Sequence, residues 1–189
     1  MNDEEDALQP EERWGDEAGM RGPRVVAAVD GSAGSRAALL FAMEDAARRG
    51  VPVEAVVAYR PPDYWTDLNV VGAADVDRLR ARLRTEAEGR VRALVDTVTA
   101  TLPAPAPVVT VLAAHGAPAE VLVRESQGAD LLVVGSRGHG GFSSVLLGST
   151  SLQCVHHATC PVTVVHSPEA HRRRLHLRRE RGREPLPAH

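Results

Sequence analysis

The sequence predicts an α/β fold: a Rossmann-like, doubly wound five-stranded parallel sheet with helices on both faces. Three observations lead there. Short apolar runs alternate with helical patterns through residues 24–166. The runs are apolar on successive residues, as in RVVAAVD at 24–30 and LLVV at 131–134, which suits parallel strands covered on both faces. Each strand is followed by a connecting segment rather than a tight hairpin turn, so consecutive strands join through right-handed crossovers.

The elements follow in order. Residues 24–30 form the first strand, and 33–49 an amphipathic helix stopped by Gly50. Residues 53–59 are the second strand, and 61–73 a loop carrying Tyr64 and Trp65. A long arginine-rich helix spans 74–101 and ends before Pro103, Pro105 and Pro107. Residues 108–113 are the third strand. The helix at 118–127 places Pro118 in its first turn, where a missing N–H costs nothing. The fourth strand, 131–134, runs into a glycine-rich loop. A helix near 150–157 and a fifth strand at 161–165 complete the unit.

Composition sets limits. A chain of 189 residues, 43% of them hydrophobic, is long enough for one domain with a proper core and two tails. No apolar run approaches the roughly 18–20 residues that a membrane span needs. The first twenty residues are acidic and lack an apolar stretch, so no secretory leader is expected. Cys154 and Cys160 have neither metal spacing nor a disulfide pattern, and a reducing cytoplasm fits them. They read as small buried hydrophobes rather than redox sensors. All 22 basic residues are arginine. Without lysine there is no Walker-type phosphate lysine and no Schiff base. Phosphate must be held by backbone N–H groups, hydroxyls, arginine or a metal.

Both ends read as disordered tails, 1–23 acidic and 167–189 rich in arginine and histidine, flanking a domain at 24–166. Residues 1–20 carry eight acidic groups and one arginine, Arg13, while 167–189 carry seven arginines and three glutamates. The basic tail has the charge to touch nucleic acid or an anionic surface, but a solvated tail is the preferred reading.

In an open parallel sheet the ligand lies beyond the carboxyl ends of the strands, where strand order reverses. Two strand ends carry candidate chemistry. The first ends in Asp30-Gly31-Ser32, and the fourth in Gly135-Ser136-Arg137-Gly138-His139-Gly140-Gly141. Four glycines in seven residues let the backbone turn sharply and approach a ligand, and consecutive N–H groups there form an anion nest. The alternative is a mobile loop with no ligand. Further on, Gly148-Ser149-Thr150 opens a helix, whose free N–H groups and dipole favour phosphate. Ser149 also suits a helix N-cap. Asp30 is either a turn residue bonding its own backbone, or a partner for Mg2+, ribose or adenine. Arg137 and His139 are candidates for phosphate, with solvent exposure as the alternative. His156 and His157 read as helix-terminal surface residues, and no metal site is expected. Neither G-x-x-x-x-G-K-[ST] nor G-x-G-x-x-G is present, which argues against a Walker loop and a dinucleotide site.

The run Gly135-x2-Gly138-x9-Gly148-Ser149 resembles the nucleotide signature G-x2-G-x9-G-[ST] of universal stress proteins. The segment VVAAVDGSAGSRAALLFAMEDAARRG is similar to their first β/α unit, and HGAPAEVLV and CPVTVV are similar to later segments. The resemblance covers about 24–166. It implies ATP as ligand, with or without Mg2+. Asp30 matches the acidic residue that contacts the nucleotide, and Ala58 a strand position whose backbone meets adenine. Gly135, Gly138, Gly148 and Ser149 match the phosphate and ribose positions, with Arg137, Gly140 and Thr150 beside them. It further implies a homodimer joined through the edge strand 161–165. The expected function is a nucleotide-dependent stress-response regulator in the cytoplasm. A slow ATPase of the same fold is the alternative, since no acidic pair or placed base marks a catalytic residue.

Overall fold

The computed structural model describes residues 22–60, 73–138 and 147–167. Tyr64, Trp65, His139, Gly140, Gly141 and nearly all of the two tails lie outside the described residues. Among these residues the strands are β1 (Val25–Ala28), β2 (Val53–Tyr59), β3 (Val109–His115), β4 (Leu131–Gly135) and β5 (Val162–Val165). The helices between them are α1 (Ala33–Arg49), α2 (Ala73–Thr99), α3 (Pro118–Glu125) and α4 (Ser149–His157). Every strand pairing is parallel, in the order β3-β2-β1-β4-β5.

The apolar strands are explained by burial on both faces. Val25 and Ala27 of β1 join Leu39 and Met43 of α1 and Val91 of α2 in one core. Val26, between them, turns to the opposite face and joins Val121 and Leu122 of α3 and Cys154 of α4. Successive strand side chains point to opposite faces, so a strand covered on both must be apolar at every position. Leu39 and Met43 are fully buried; truncating such a side chain to alanine costs about 2–5 kcal/mol.

Local signals fix the helix ends. Ser32 caps α1 by accepting from the Ser35 N–H, and Gly50, at φ 71°, returns its N–H to the Ala46 carbonyl in the left-handed conformation that suits glycine. The observed α1 and β2 match the predicted spans. β3 runs on to His115, two residues past the predicted end at Ala113. The extension is built by the neighbouring strand: Ala58 and Tyr59 pair with Ala114 and His115. The remaining elements differ from expectation by one or two residues at their ends.

Opposite the carboxyl ends, Arg24 ties the amino end of the sheet together. It is 5% exposed. It donates to Glu54 at 3.0 Å and to the carbonyls of Glu125 and Gln127 at 2.9 and 3.1 Å, at the end of α3. Its charge thus meets both a carboxylate and the negative end of a helix dipole.

Candidate functional site

The strand order reverses between β1 and β4, which are direct neighbours. The β1–α1 turn and the loop after β4 therefore face one crevice of about 660 Å3. Asp30, Ala58, Gly135, Arg137, Gly138, Gly148, Ser149 and Thr150 all line it. Gly140 lies outside the described residues.

The lining combines two kinds of surface. One is apolar, formed by Ala28, Val56, Ala58 and Val134 of the sheet with Pro118 and Leu122 of α3 and Leu152 of α4. The other carries hydroxyls and main-chain amides: Ser32 and Ser35 from α1, and Ser149, Thr150 and Ser151 from α4. Among the described residues lining the crevice, Arg137 is the only cation.

Two helix N-termini reach the polar end, and they differ. That of α1 carries a side-chain cap. Ser35 N–H donates to Ser32 Oγ, Gly31 N–H to Ser35 Oγ, and Ser32 N–H to Asp30 Oδ1, at 3.1, 3.1 and 2.9 Å. That of α4 begins at Gly148, which has no side chain with which to cap. The first intrahelical bond there runs from the Leu152 N–H to the Gly148 carbonyl, so the amides of Ser149, Thr150 and Ser151 precede the ladder. An uncapped N-terminus with its dipole aimed into a crevice favours an anion.

The loop after β4 is held by its neighbours. Ser151 Oγ donates to the Gly135 carbonyl at 2.6 Å. The Ser136 N–H donates to the Val165 carbonyl at 2.7 Å, and the Gly148 N–H to the Ser136 carbonyl at 2.8 Å. Two of the signature glycines have a steric reason. A β-carbon on Gly135 would lie 2.6 Å from the Gly34 carbonyl carbon, so here glycine permits α1 to touch β4. A β-carbon on Gly138 would strike the Asp30 carboxylate. At Gly148 a β-carbon would be in ordinary contact, 3.6 Å from the Arg137 Cα, so crowding does not require glycine there. Gly31, at φ 87°, makes the sharp turn out of β1.

Sequence reasoning did not single out Pro118, Leu122 and Leu152 as site residues. Pro118 and Leu122 are four apart on α3, on one helix face, but only the topology shows that this face reaches the crevice. Ser32, Ser35 and Ser151 were likewise legible as helix-start hydroxyls but not as lining.

Burial pushes the Cys154 thiol up to about 11, with the neighbouring Cys160 adding to the shift. Cys154 is fully buried in the core under α4, as a packing residue would be. Among the described residues no group of three or more histidine, cysteine, aspartate or glutamate side chains is placed to hold a metal. No helix among them is long and apolar enough to cross a membrane.

Residues 23–166 match the model of the universal stress protein family. A universal stress protein of Mycobacterium tuberculosis is 36% identical over 141 residues, covering 74% of this chain and 44% of that protein. One from Mycolicibacterium smegmatis is 34% identical over 142 residues, 75% of this chain and 45% of its own. The chain thus spans less than half the length of these relatives. Among solved structures, a universal stress protein in complex with cAMP superposes with a TM-score of 0.56 at 28% identity, over 77% of this chain and 97% of that one. One from Lactobacillus plantarum gives a TM-score of 0.59 at 24% identity, over 77% and 98%, and shares the fold.

Proposed function

The chain belongs to the universal stress protein family, and from that premise we propose that it binds an adenine nucleotide in the β1/β4 crevice. ATP is the ligand favoured, and a nucleotide-dependent regulator of stress responses in the cytoplasm is the role. The observation that carries the reading is the pairing of an apolar end with the uncapped N-terminus of α4 in one crevice.

The residues present fit such a ligand. The volume falls within the range of about 300–1,000 Å3 usual for small-molecule sites. The apolar end around Ala58, Pro118 and Leu122 accepts a flat base. The amides and hydroxyls of Ser149 and Thr150, with Arg137, answer a phosphate chain, and Gly140 belongs with that loop. Asp30 Oδ1 already accepts from Ser32, so its carboxylate is fixed at the crevice mouth. There it serves a sugar hydroxyl, the base, or Mg2+ shared with the phosphates. The relative seen with cAMP is consistent with an adenine-containing ligand.

Binding is favoured over turnover. Catalysis would need a base or metal-activated water beside the terminal phosphate. Among the described lining residues Asp30 is the only ionisable acid, and it is engaged with the α1 turn.

Calorimetry with ATP, AMP, cAMP and adenosine tests the reading, alongside mass analysis of anything released from the purified protein on denaturation. Saturable binding of adenine nucleotides, weakened by Leu122→Arg at the apolar end, is expected. No binding of any of them would sink the proposal.

A further inference from the structure

Gly34 lies in the first turn of α1, is buried, and belongs to no part of the spaced glycine pattern. It sits behind the crevice wall, while its neighbours Ser32 and Ser35 line the crevice itself. A β-carbon at Gly34 would strike the carbonyl oxygen of Arg137, with the Arg137 carbonyl carbon 3.5 Å away. The obstructing atoms are backbone, so no side-chain rotation relieves them. From the other side, a β-carbon on Gly135 would lie 2.8 Å from the Gly34 oxygen and 3.0 Å from the Ser35 nitrogen. The first turn of α1 and the backbone at 135–137 thus lie flush, with no side chain between them.

We propose that Gly34 is a positioning residue of the nucleotide site, setting Arg137 and the adjoining loop backbone at the phosphate end; this rests on the reading of the crevice as a nucleotide site. The loop is anchored away from α1 at three points. The Gly135 carbonyl is held by Ser151 Oγ, the Ser136 N–H by the Val165 carbonyl, and the Ser136 carbonyl by the Gly148 N–H. With those anchors in place, a methyl group at position 34 displaces Arg137 first, since Arg137 carries the carbonyl it meets. Arg137 is the only cation among the described lining residues, so its displacement is felt where phosphate charge sits. The three nearest atoms to a β-carbon at Gly34 belong to Arg137 and Ser32, and none to Ala58, Pro118 or Leu122 of the apolar lining. The effect of Gly34 is therefore on phosphates and not on the base.

The test compares ATP with adenosine on the full chain carrying Gly34→Ala. Loss of well-placed charge-assisted hydrogen bonds lowers ATP affinity about tenfold or more, while adenosine affinity stays within about twofold. The ATP-to-adenosine affinity ratio is the readout, because a general loosening of the fold lowers both alike. Equal losses, or an unchanged ATP affinity, overturn the proposal. Wild-type protein that binds neither ligand overturns the crevice reading itself, which is a different result. If Gly34→Ala does not fold, amide NMR of the wild type decides. The Gly34 amide resonance shifts on saturation with ATP and not with adenosine; a resonance unmoved by ATP overturns the proposal.

Discussion

The Cα of Gly138 packs against the carboxylate of Asp30. A β-carbon added to Gly138 would strike Asp30 Oδ2, with Cγ 3.6 Å away. Gly138 lies in the loop after β4 and Asp30 in the turn after β1, so the contact closes the crevice mouth across the switch point of the sheet. The need for glycine here comes from a side chain of the same protein. Its backbone dihedral is not the reason, since the left-handed glycines of the described residues are Gly31, Gly50, Gly116 and Gly128.

That contact predicts a coupling. Gly138→Ala crowds Asp30 and disturbs its bond to the Ser32 N–H, and nucleotide affinity falls about tenfold, or 1.4 kcal/mol. Gly138 is exposed, so the melting temperature moves little. In an Asp30→Ala background the obstructing oxygens are gone, and adding Gly138→Ala costs little further affinity. A double-mutant cycle measures the difference. Strictly additive losses would show that Gly138 acts independently of Asp30.

Asp30 itself has two possible partners, and metal dependence separates them. A carboxylate about 4 Å from a phosphate charge is repelled by roughly 4 kcal/mol at an effective dielectric near 20. In the proposed ATP complex Asp30 would therefore contact sugar or base, or share Mg2+ with the phosphates. Asp30→Asn weakens ATP binding only in the presence of Mg2+ if the metal is shared, and equally with and without it otherwise. Turnover of several ATP per second in wild type, lost in Asp30→Asn, would replace the regulatory reading with an ATPase.

The buried thiol makes stability depend on pH in the alkaline range. Cys154 has its folded value raised from 9.0 to about 11, by burial first and Cys160 second. Between these values the unfolded chain loses the proton while the folded chain keeps it. Stability from this group is therefore complete below pH 9 and falls as pH rises toward 11, by roughly 3 kcal/mol in all. Urea denaturation of wild type and Cys154→Ala across that window shows it. The variant is less stable at neutral pH through its cavity, but its slope between pH 9 and 11 is shallower. Parallel slopes would remove the thiol as the cause.

How far the sequence reveals this protein depends on the range of each interaction. The apolar runs revealed the strands because β1 is buried on both faces, and Gly50 revealed the end of α1 because its left-handed turn is a local property. The crevice lining was legible where it follows the chain, at Asp30, Gly135, Gly138, Gly148 and Ser149. It was not legible where distant elements converge. Pro118 and Leu122 line the crevice because α3 crosses beneath β2, and no pattern within α3 records that. Gly34 resembles any weak helix residue until the Arg137 carbonyl is placed against it. The last residue of β3, His115, pairs with Tyr59, beyond the apolar stretch.

The edge strand predicts assembly. β5 pairs with β4 on one side, and the order leaves its other side at the end of the sheet. The carbonyls of Pro161 and Val165 bond toward β4, so by alternation the main-chain groups of Val162 and Val164 point outward. Such an edge invites pairing with another strand. The helix leading into it, α4, exposes Leu152 and Val155 at 45% and 47%. Pairing of β5 with β5 of a second copy about a two-fold axis would satisfy the outward groups and cover apolar surface. Light scattering at tens of micromolar is then expected to give a dimer. Val155→Asp places a charge on an exposed position that the lone subunit does not pack, so the fold stays intact and the dimer dissociates. A wild-type monomer, or a Val155→Asp dimer as tight as wild type, would remove this face from the interface.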